Sequence, residues 1–185
     1  MIELTNISFS YGEKRVLEDF TLRVGDGDRV CLFGESGRGK TTIARLILGL
    51  EKPQSGEIVS TGSVSVVFQE DRLLPFRTVG QNIRLFSGAS DDAMEHVLRR
   101  LGIYDFRDKY PAQLSGGIAR RAALAVALCR NSDAYILDEP FSGLDDANAK
   151  RAIDLINEIT VGKTVILITH NHNDAQALKC RTVTL

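Results

Sequence analysis

Apolar positions in the first part of the chain occur in short runs of the kind that form strands. Residues 2–9 predict an opening strand, and residues 16–24 predict a second one, joined to the first by a turn at 11–14 in a hairpin. Residues 30–33 are continuously apolar, which is typical of a strand that is buried on both faces of a sheet.

The rest of the chain alternates between short apolar runs and apolar residues at helical spacing. Helices are predicted at 42–50, 93–101, 115–129 and 147–159, and strands at 58–59, 64–68, 134–137, 165–169 and 182–185. This alternation indicates an α/β fold with a mostly parallel sheet and an N-terminal antiparallel β-region. Residues 70–113 look mainly helical. We therefore expect one domain over 1–185, with a core formed by 1–69 and 131–185 and an inserted helical subdomain at about 70–130.

Composition limits the class of protein without changing this fold. The net charge is −1, so no overall basic field attracts nucleic acid, and we expect no nucleic-acid partner. The three cysteines are far apart, which argues against a disulfide scaffold or a zinc site and fits a reducing compartment. The longest apolar run, near 122–129, is shorter than the roughly 20 residues of a spanning helix, so we expect a soluble, cytoplasmic chain.

A glycine-rich loop connects the strand at 30–33 to the helix at 42–50. It matches the phosphate-loop pattern G-x-x-x-x-G-K-[ST] through Gly34, Glu35, Ser36, Gly37, Arg38, Gly39, Lys40 and Thr41, with Thr42 next on the helix. Glycines let backbone N–H groups converge on an anion, and the helix N-terminus adds its positive dipole end. The loop predicts a P-loop NTPase core, in which Lys40 reaches the β- and γ-phosphates and the Thr41 hydroxyl binds Mg²⁺.

Two acids and a histidine follow buried strands whose carboxyl ends share one edge of the predicted sheet, where ligands of such sheets bind. Asp138 is placed to hold Mg²⁺, through water, and Glu139 to orient or deprotonate the attacking water. An acidic pair that only caps a turn is the alternative, and the phosphate loop favours catalysis. His170 is placed to bond a γ-phosphate oxygen, although its spacing alone leaves a plain surface histidine open.

A second helix start carries a pattern that few other ATPases have. Leu114-Ser115-Gly116-Gly117, followed by a small-residue and arginine helix at 119–125, resembles the signature segment of the nucleotide-binding subunits of ABC transporters. The resemblance covers essentially the whole chain. It implies that Tyr11 stacks on adenine, that Gln69 binds Mg²⁺ and links it to the coupling region, that 142–145 cross a dimer interface, and that His170 is the switch histidine.

The resemblance also implies that one chain holds only half of each ATP site. Ser115, Gly116 and Gly117 begin a helix and complete in trans the site of a second copy or of a homologous ATPase subunit, so that two ATP molecules are sandwiched head to tail. The signature usually continues with glutamine, where this chain has Ile118. We expect hydrolysis to survive this change, and a reduced rate stays open.

The function expected from these motifs is ATP hydrolysis that energises a membrane transporter. Residues 68–79 resemble the coupling segment of importers for nitrate, sulfonate or taurine-like anions, so the expected partners are membrane-spanning subunits and a solute-binding protein. The expected location is the inner face of the cell membrane. Leu73, Leu74 and Phe76 either dock a helix of a membrane subunit or belong to the core of the helical subdomain, and the sequence leaves both open.

Two other classes of protein fit the sequence less well. A non-transport ABC ATPase acting on DNA or ribosomes is the alternative, but the chain has neither a long coiled coil between its motifs nor a second cassette, and its net charge is slightly acidic. A plain P-loop kinase or GTPase would leave the signature without a role, and a base-reading Asn-Lys-x-Asp segment is absent.

Overall fold

The order of strands and helices follows the alternation in the sequence. The computed structural model describes residues 1–35 and 37–185, so that Ser36 of the predicted loop lies outside the described residues. In chain order the elements are β1 (Ile2–Tyr11), β2 (Lys14–Val24), β3 (Arg29–Phe33), α1 (Lys40–Ile47), β4 (Ser55–Ser60), β5 (Val64–Val67), α2 (Val79–Ser87), α3 (Asp91–Arg100), α4 (Gly116–Leu128), β6 (Ala134–Asp138), α5 (Asp146–Ile159), β7 (Thr164–Thr169), α6 (His172–Ala177) and β8 (Arg181–Thr184).

The chain consists of two compact units. The first is formed by residues 1–64, 133–138 and 162–185, and the second by residues 65–132 and 139–161. The second unit contains the whole predicted helical segment at about 70–130, together with α5. The interpretation of 1–185 as one domain with a helical insertion stays a prediction.

Both sheets of the first unit have the predicted directions. An antiparallel sheet has the order β2-β1-β4, and parallel strands follow one another in the order β6-β7-β3-β8. Every residue of β6 and β7 is buried, which explains why their sequences are apolar runs rather than alternating ones. The predicted α/β class, with a parallel sheet and an antiparallel N-terminal region, is confirmed.

Helices α2 to α5 pack around a core of their own in the second unit. The fully buried side chains of this core include Ile83, Met94, Leu98, Leu124 and Leu155. The helices start at polar caps, since Thr78 accepts from the backbone N–H of Gln81 and Ser90 accepts from that of Ala93. No helix in the described part of the chain is both long enough and apolar enough to cross a bilayer.

The structure differs from the sequence prediction before α2 and after β7. Residues 70–78 form no helix, so the mainly helical interpretation of 70–113 is wrong for this stretch. The buried side chain of Asn82 accepts from Leu74 N–H at 2.8 Å and donates to the carbonyls of Arg77 and Thr78, and these bonds replace helical ones. Helix α6 was not predicted, because its six residues are too few to show a period.

Candidate functional site

The phosphate loop leaves β3 after Phe33 and enters α1 at Lys40. Gly37 and Gly39 have φ of +84° and +90°, a left-handed conformation that favours glycine. A Cβ on Gly39 would lie 2.9 Å from Cγ1 of Val16, so the packing of β2 also demands glycine there. The strand, the loop and the helix start are thus arranged as the sequence predicts.

Lys40 lies inside the curve of this loop. The residue is 7% exposed, and its ammonium donates to the carbonyl of Gly34 at 2.6 Å and to that of Glu35 at 2.9 Å. An ammonium has three donor hydrogens, so these two bonds leave one for a phosphate oxygen. These two carbonyls therefore fix the position of the Lys40 ammonium beside the phosphate loop.

Thr41 and Asp138 come together although they are 97 residues apart in the chain. The Thr41 hydroxyl, in the first turn of α1, donates to Oδ2 of Asp138 at 2.8 Å, and Asp138 ends β6 at 1% exposure. Mg²⁺ prefers oxygen ligands and keeps several waters, so a hydroxyl and a carboxylate at this distance fit the ion. The described residues hold no cluster of three or more His, Cys, Asp or Glu side chains suited to a metal ion.

The parallel register sets the edge where these groups lie. Phe33 pairs with Thr169, and Asp138 pairs with Ile168, so β3, β6 and β7 end level with one another. His170 is exposed and follows β7 directly, next to the strand end from which the phosphate loop leaves. Its position at the loop edge is as expected, and its role stays a prediction.

Tyr11 and His172 are exposed rings of the first unit. Tyr11 ends β1 at 45% exposure, and it meets the ring of Phe9 edge-on with centroids 4.8 Å apart. This exposure leaves room for a stacked base, and adenine binding by Tyr11 stays a prediction. His172 is at the surface, and it stacks on the ring of Phe33 with centroids 3.9 Å apart.

Gln69 and Glu139 belong to the second unit, and one buried side chain binds the backbone of both. Glu139 has φ of +46°, a strained conformation for a residue with a Cβ. Arg120 donates to the carbonyl of Glu139 at 2.7 Å and to that of Gln69 at 3.3 Å. Sequence reasoning missed Arg120. The available signal was its spacing, because it shares a face of α4 with the buried Leu124 and Leu128.

The signature segment forms the N-terminus of α4. Ser115 is the N-cap, and its carbonyl accepts from the N–H groups of Ile118 and Ala119, while its hydroxyl makes no capping bond among the described residues. Ser115 and Gly116 are exposed. A Cβ on Gly117 would lie 3.5 Å from the carbonyl of Gly143, so the predicted interface segment 142–145 lies beside the signature. The first N–H groups of a helix lack helical partners and suit an anion, and the role of the signature in nucleotide binding stays a prediction.

A phosphate loop between a buried parallel strand and a helix, with its threonine bonded to the acid at the end of another strand, defines a P-loop nucleoside triphosphatase. Residues 17–142 match the model of the ABC transporter family.

Relatives of known type match over the whole chain. Identity is 39% to the aliphatic sulfonates import ATP-binding protein SsuB 1 of Paracoccus denitrificans and 40% to SsuB of Delftia acidovorans, covering 100% of this chain and 78% and 79% of those proteins. The fold resembles a dimeric ATP-binding cassette in a post-hydrolysis state bound to ADP and Pi, with a TM-score of 0.89, 27% identity, and coverage of 100% of this chain and 94% of that one.

The chain belongs to the ABC transporter family, and it is an ATP-binding subunit that hydrolyses ATP. A second solved structure, described as the ATP binding subunit of an ABC transporter, also matches with a TM-score of 0.89 at 27% identity, over 100% of this chain and 85% of that one.

Proposed function

We propose that the chain energises an importer of small organic anions of the sulfonate class, working as a head-to-tail dimer bound to membrane-spanning subunits. The observation that supports a dimer is the exposed start of α4 at Ser115, whose hydroxyl makes no capping bond within the described residues. In this proposal the helix start completes a phosphate site whose phosphate loop belongs to another chain. The direction and the cargo class follow the two sulfonate-import relatives.

In this proposal the first unit supplies the groups that hold the triphosphate. Lys40 binds the β- and γ-phosphates with its remaining donor, and the Thr41 hydroxyl and the Asp138 carboxylate hold Mg²⁺. The metal supplies positive charge against the charge that develops on the phosphates. Tyr11 stacks on adenine, and the backbone of the loop surrounds the phosphates through Gly34, Glu35, Ser36, Gly37, Arg38, Gly39 and Thr42.

Hydrolysis needs a water aligned with the γ-phosphate and a group that accepts its proton. We assign that role to Glu139, and to His170 a hydrogen bond that holds the γ-phosphate. Gln69 is the third oxygen donor for Mg²⁺ and links it to the coupling segment. Loss of the γ-phosphate then removes the contacts that join Ser115–Gly117 of one chain to the nucleotide of the other, and the dimer opens.

A complementation experiment tests the head-to-tail arrangement. Lys40→Ala removes the ammonium of the phosphate loop. Gly116→Glu adds a negative charge at the signature, where a Cβ meets no heavy atom within 4 Å, so we expect the variant to fold, which circular dichroism checks. Each variant alone should be inactive. Mixed in equal amounts, they form heterodimers with one complete site, and about a quarter of the wild-type activity should return.

The dimer proposal also fixes how activity depends on concentration and metal. Wild-type turnover per chain should rise steeply with protein concentration and vanish when Mg²⁺ is chelated. If the two variants mixed together stay inactive while wild type is active, or if a strictly monomeric sample turns over at the full rate, the shared-site proposal is wrong.

The coupling segment offers a surface for the membrane-spanning partner. Phe76 is 90% exposed and Leu74 36%, which supports docking rather than a core role for these side chains. An open pocket of about 330 Å³ is lined by residues of the coupling segment and of α2, namely Arg77, Gln81, Arg84 and Leu85. Arg77 and the exposed apolar side chains suit an amphipathic helix that carries an acidic residue, while Arg84 is paired with Asp91.

We assign this surface to a helix of a membrane-spanning subunit, which makes the chain a peripheral protein on the inner face of the membrane. A solute-binding protein in the same system would deliver the anion. Purification from native membranes tests the assignment, because the chain should be recovered with its membrane subunits. Recovery only as a free protein would count against it.

A further inference from the structure

Arg120 is a charged side chain in the interior of the second unit, where it contacts both loops that carry the proposed catalytic groups. Its side chain is 4% exposed. We infer that Arg120 is a positioning residue that holds Gln69 and Glu139 in fixed relation to the signature helix. This inference rests on the roles proposed above for those two residues.

The guanidinium bonds in three directions. Nη1 donates to the carbonyl of Phe68 at 2.6 Å and also lies 3.2 Å from the carboxylate of Asp71. Nη2 donates to the carbonyl of Glu139 at 2.7 Å, and Nε donates to the carbonyl of Pro140 at 3.2 Å. Arginine alone offers donors in a rigid planar fork that spans such separate acceptors.

These bonds act on the backbone at the points where the proposed chemistry needs accuracy. The φ of +46° at Glu139 persists only if the surroundings enforce it, and two donors meet its carbonyl, Arg120 and the backbone N–H of Ser142 at 3.1 Å. Gln69 is exposed, yet the peptide groups on both sides of it are bonded by the same guanidinium. Arg120 therefore sets the direction in which each functional side chain leaves its loop.

Arg120 also joins these loops to the signature. Arg120 lies on α4, whose N-cap is Ser115. The same helix therefore begins at the residue proposed to meet the nucleotide of the other chain and carries the arginine that bonds both loops. A shift of α4 when the signature engages ATP would be transmitted to Glu139 through these bonds. The geometry links formation of the dimer to alignment of the water-activating group.

Arg120→Lys is the main test, because it keeps the charge but replaces the fork with a single nitrogen that cannot reach both loops. We expect kcat to fall between about tenfold and a hundredfold, since misplacement by about 1 Å costs that much. KM for ATP should stay within about twofold, because Arg120 makes no proposed contact with the nucleotide. Arg120→Gln keeps a planar amide donor but removes the charge opposite Asp71, so it should also lower kcat, and it serves if the lysine variant folds poorly.

Leu124→Ala is the matched control on the same helix face. It removes a fully buried side chain and should lower stability, yet leucine has no polar group that could hydrogen-bond either loop. At a temperature where circular dichroism shows every variant folded, it should keep the wild-type kcat. A fall in kcat that matches that of the arginine variants would mean that Arg120 matters only for stability, and the inference would be wrong.

Glu139→Gln distinguishes the proposed role of Glu139 in catalysis from the positioning role of Arg120. If this variant is inactive while Arg120→Lys and Arg120→Gln keep the wild-type kcat, the role of Glu139 stands and the positioning role of Arg120 is refuted. If Glu139→Gln itself turns over normally, the proposed role of Glu139 is wrong, and the inference about Arg120 fails with it.

Discussion

Phe76 presents the most exposed large apolar side chain of the coupling segment, and its replacement by serine tests whether this surface binds a membrane subunit. In the isolated chain the ring is 90% exposed, so Phe76→Ser removes almost no folded-state contact, and stability should change by less than about 0.5 kcal/mol. The ATPase activity of the isolated protein should also be unchanged.

The expected effect on docking follows from the burial of the ring. Full burial of a phenylalanine side chain is worth about 1.5–3 kcal/mol, and a central value of about 2 kcal/mol corresponds to an affinity loss of about 30-fold at 1.4 kcal/mol for each factor of ten. The assay is a binding titration of labelled chain against purified membrane-spanning subunits in lipid nanodiscs. Half-maximal stimulation of ATP hydrolysis in Phe76→Ser should require a correspondingly higher concentration of the membrane-spanning subunits.

Val161→Ser is the matched control, because Val161 is another exposed apolar side chain of the second unit, at 76% exposure. It lies outside the coupling segment, so its replacement should leave the affinity unchanged. An equal loss of affinity in both variants would point to non-specific apolar binding. An unchanged affinity in Phe76→Ser would refute the assignment of this surface.

Backbone strain, acid and thiol reagents give three further tests. Gly39→Ala should lower Tm by about 5 °C more than Gly12→Ala does. Both glycines have a positive φ, but only a Cβ on Gly39 would meet packed side chains. Equal falls in Tm of the two variants, measured by calorimetry, would contradict this. The backbone N–H and the hydroxyl of Ser63 donate to Asp133 and hold the pKa of its carboxyl below the usual value. The ionised carboxylate therefore stabilises the fold above about pH 4, and this stability is lost as the pH falls through the lowered pKa. The Tm of Asp133→Asn should accordingly fall less than that of wild type when the solution is acidified. Burial raises the pKa of the Cys129 thiol to about 12, so it should resist an aromatic disulfide reagent at pH 8 until the protein is denatured, and rapid labelling of the folded protein would contradict this.

Several features could be predicted from the sequence because their information is local. The phosphate loop is a run of consecutive residues whose types follow from the conformation and the charge that a triphosphate requires. The buried strands appear as short apolar runs, since both faces of a parallel strand are covered. The predicted strands 30–33, 134–137 and 165–169 differ from β3, β6 and β7 by a single residue at one end each. The stretch before α2 was mispredicted, because the buried Asn82 supplies its backbone bonds from outside the local pattern.

Contacts between residues that are distant in the sequence become visible only in the folded chain. The bond between Thr41 and Asp138 depends on the register of parallel strands, which no local period encodes. The left-handed backbone at Glu139 depends on donors from elsewhere in the second unit, and the exposure of Phe76 depends on which apolar side chains the helices leave uncovered.

The α/β class, the phosphate loop and the signature can all be inferred from the amino-acid sequence, because each depends on neighbouring residues. Only the fold decided that Arg120, an arginine on a helix of small and apolar residues, binds the backbone on both sides of Gln69 and at Glu139. The physical reason is that these contacts pair a side chain with carbonyl groups, and every residue has a carbonyl whatever its type.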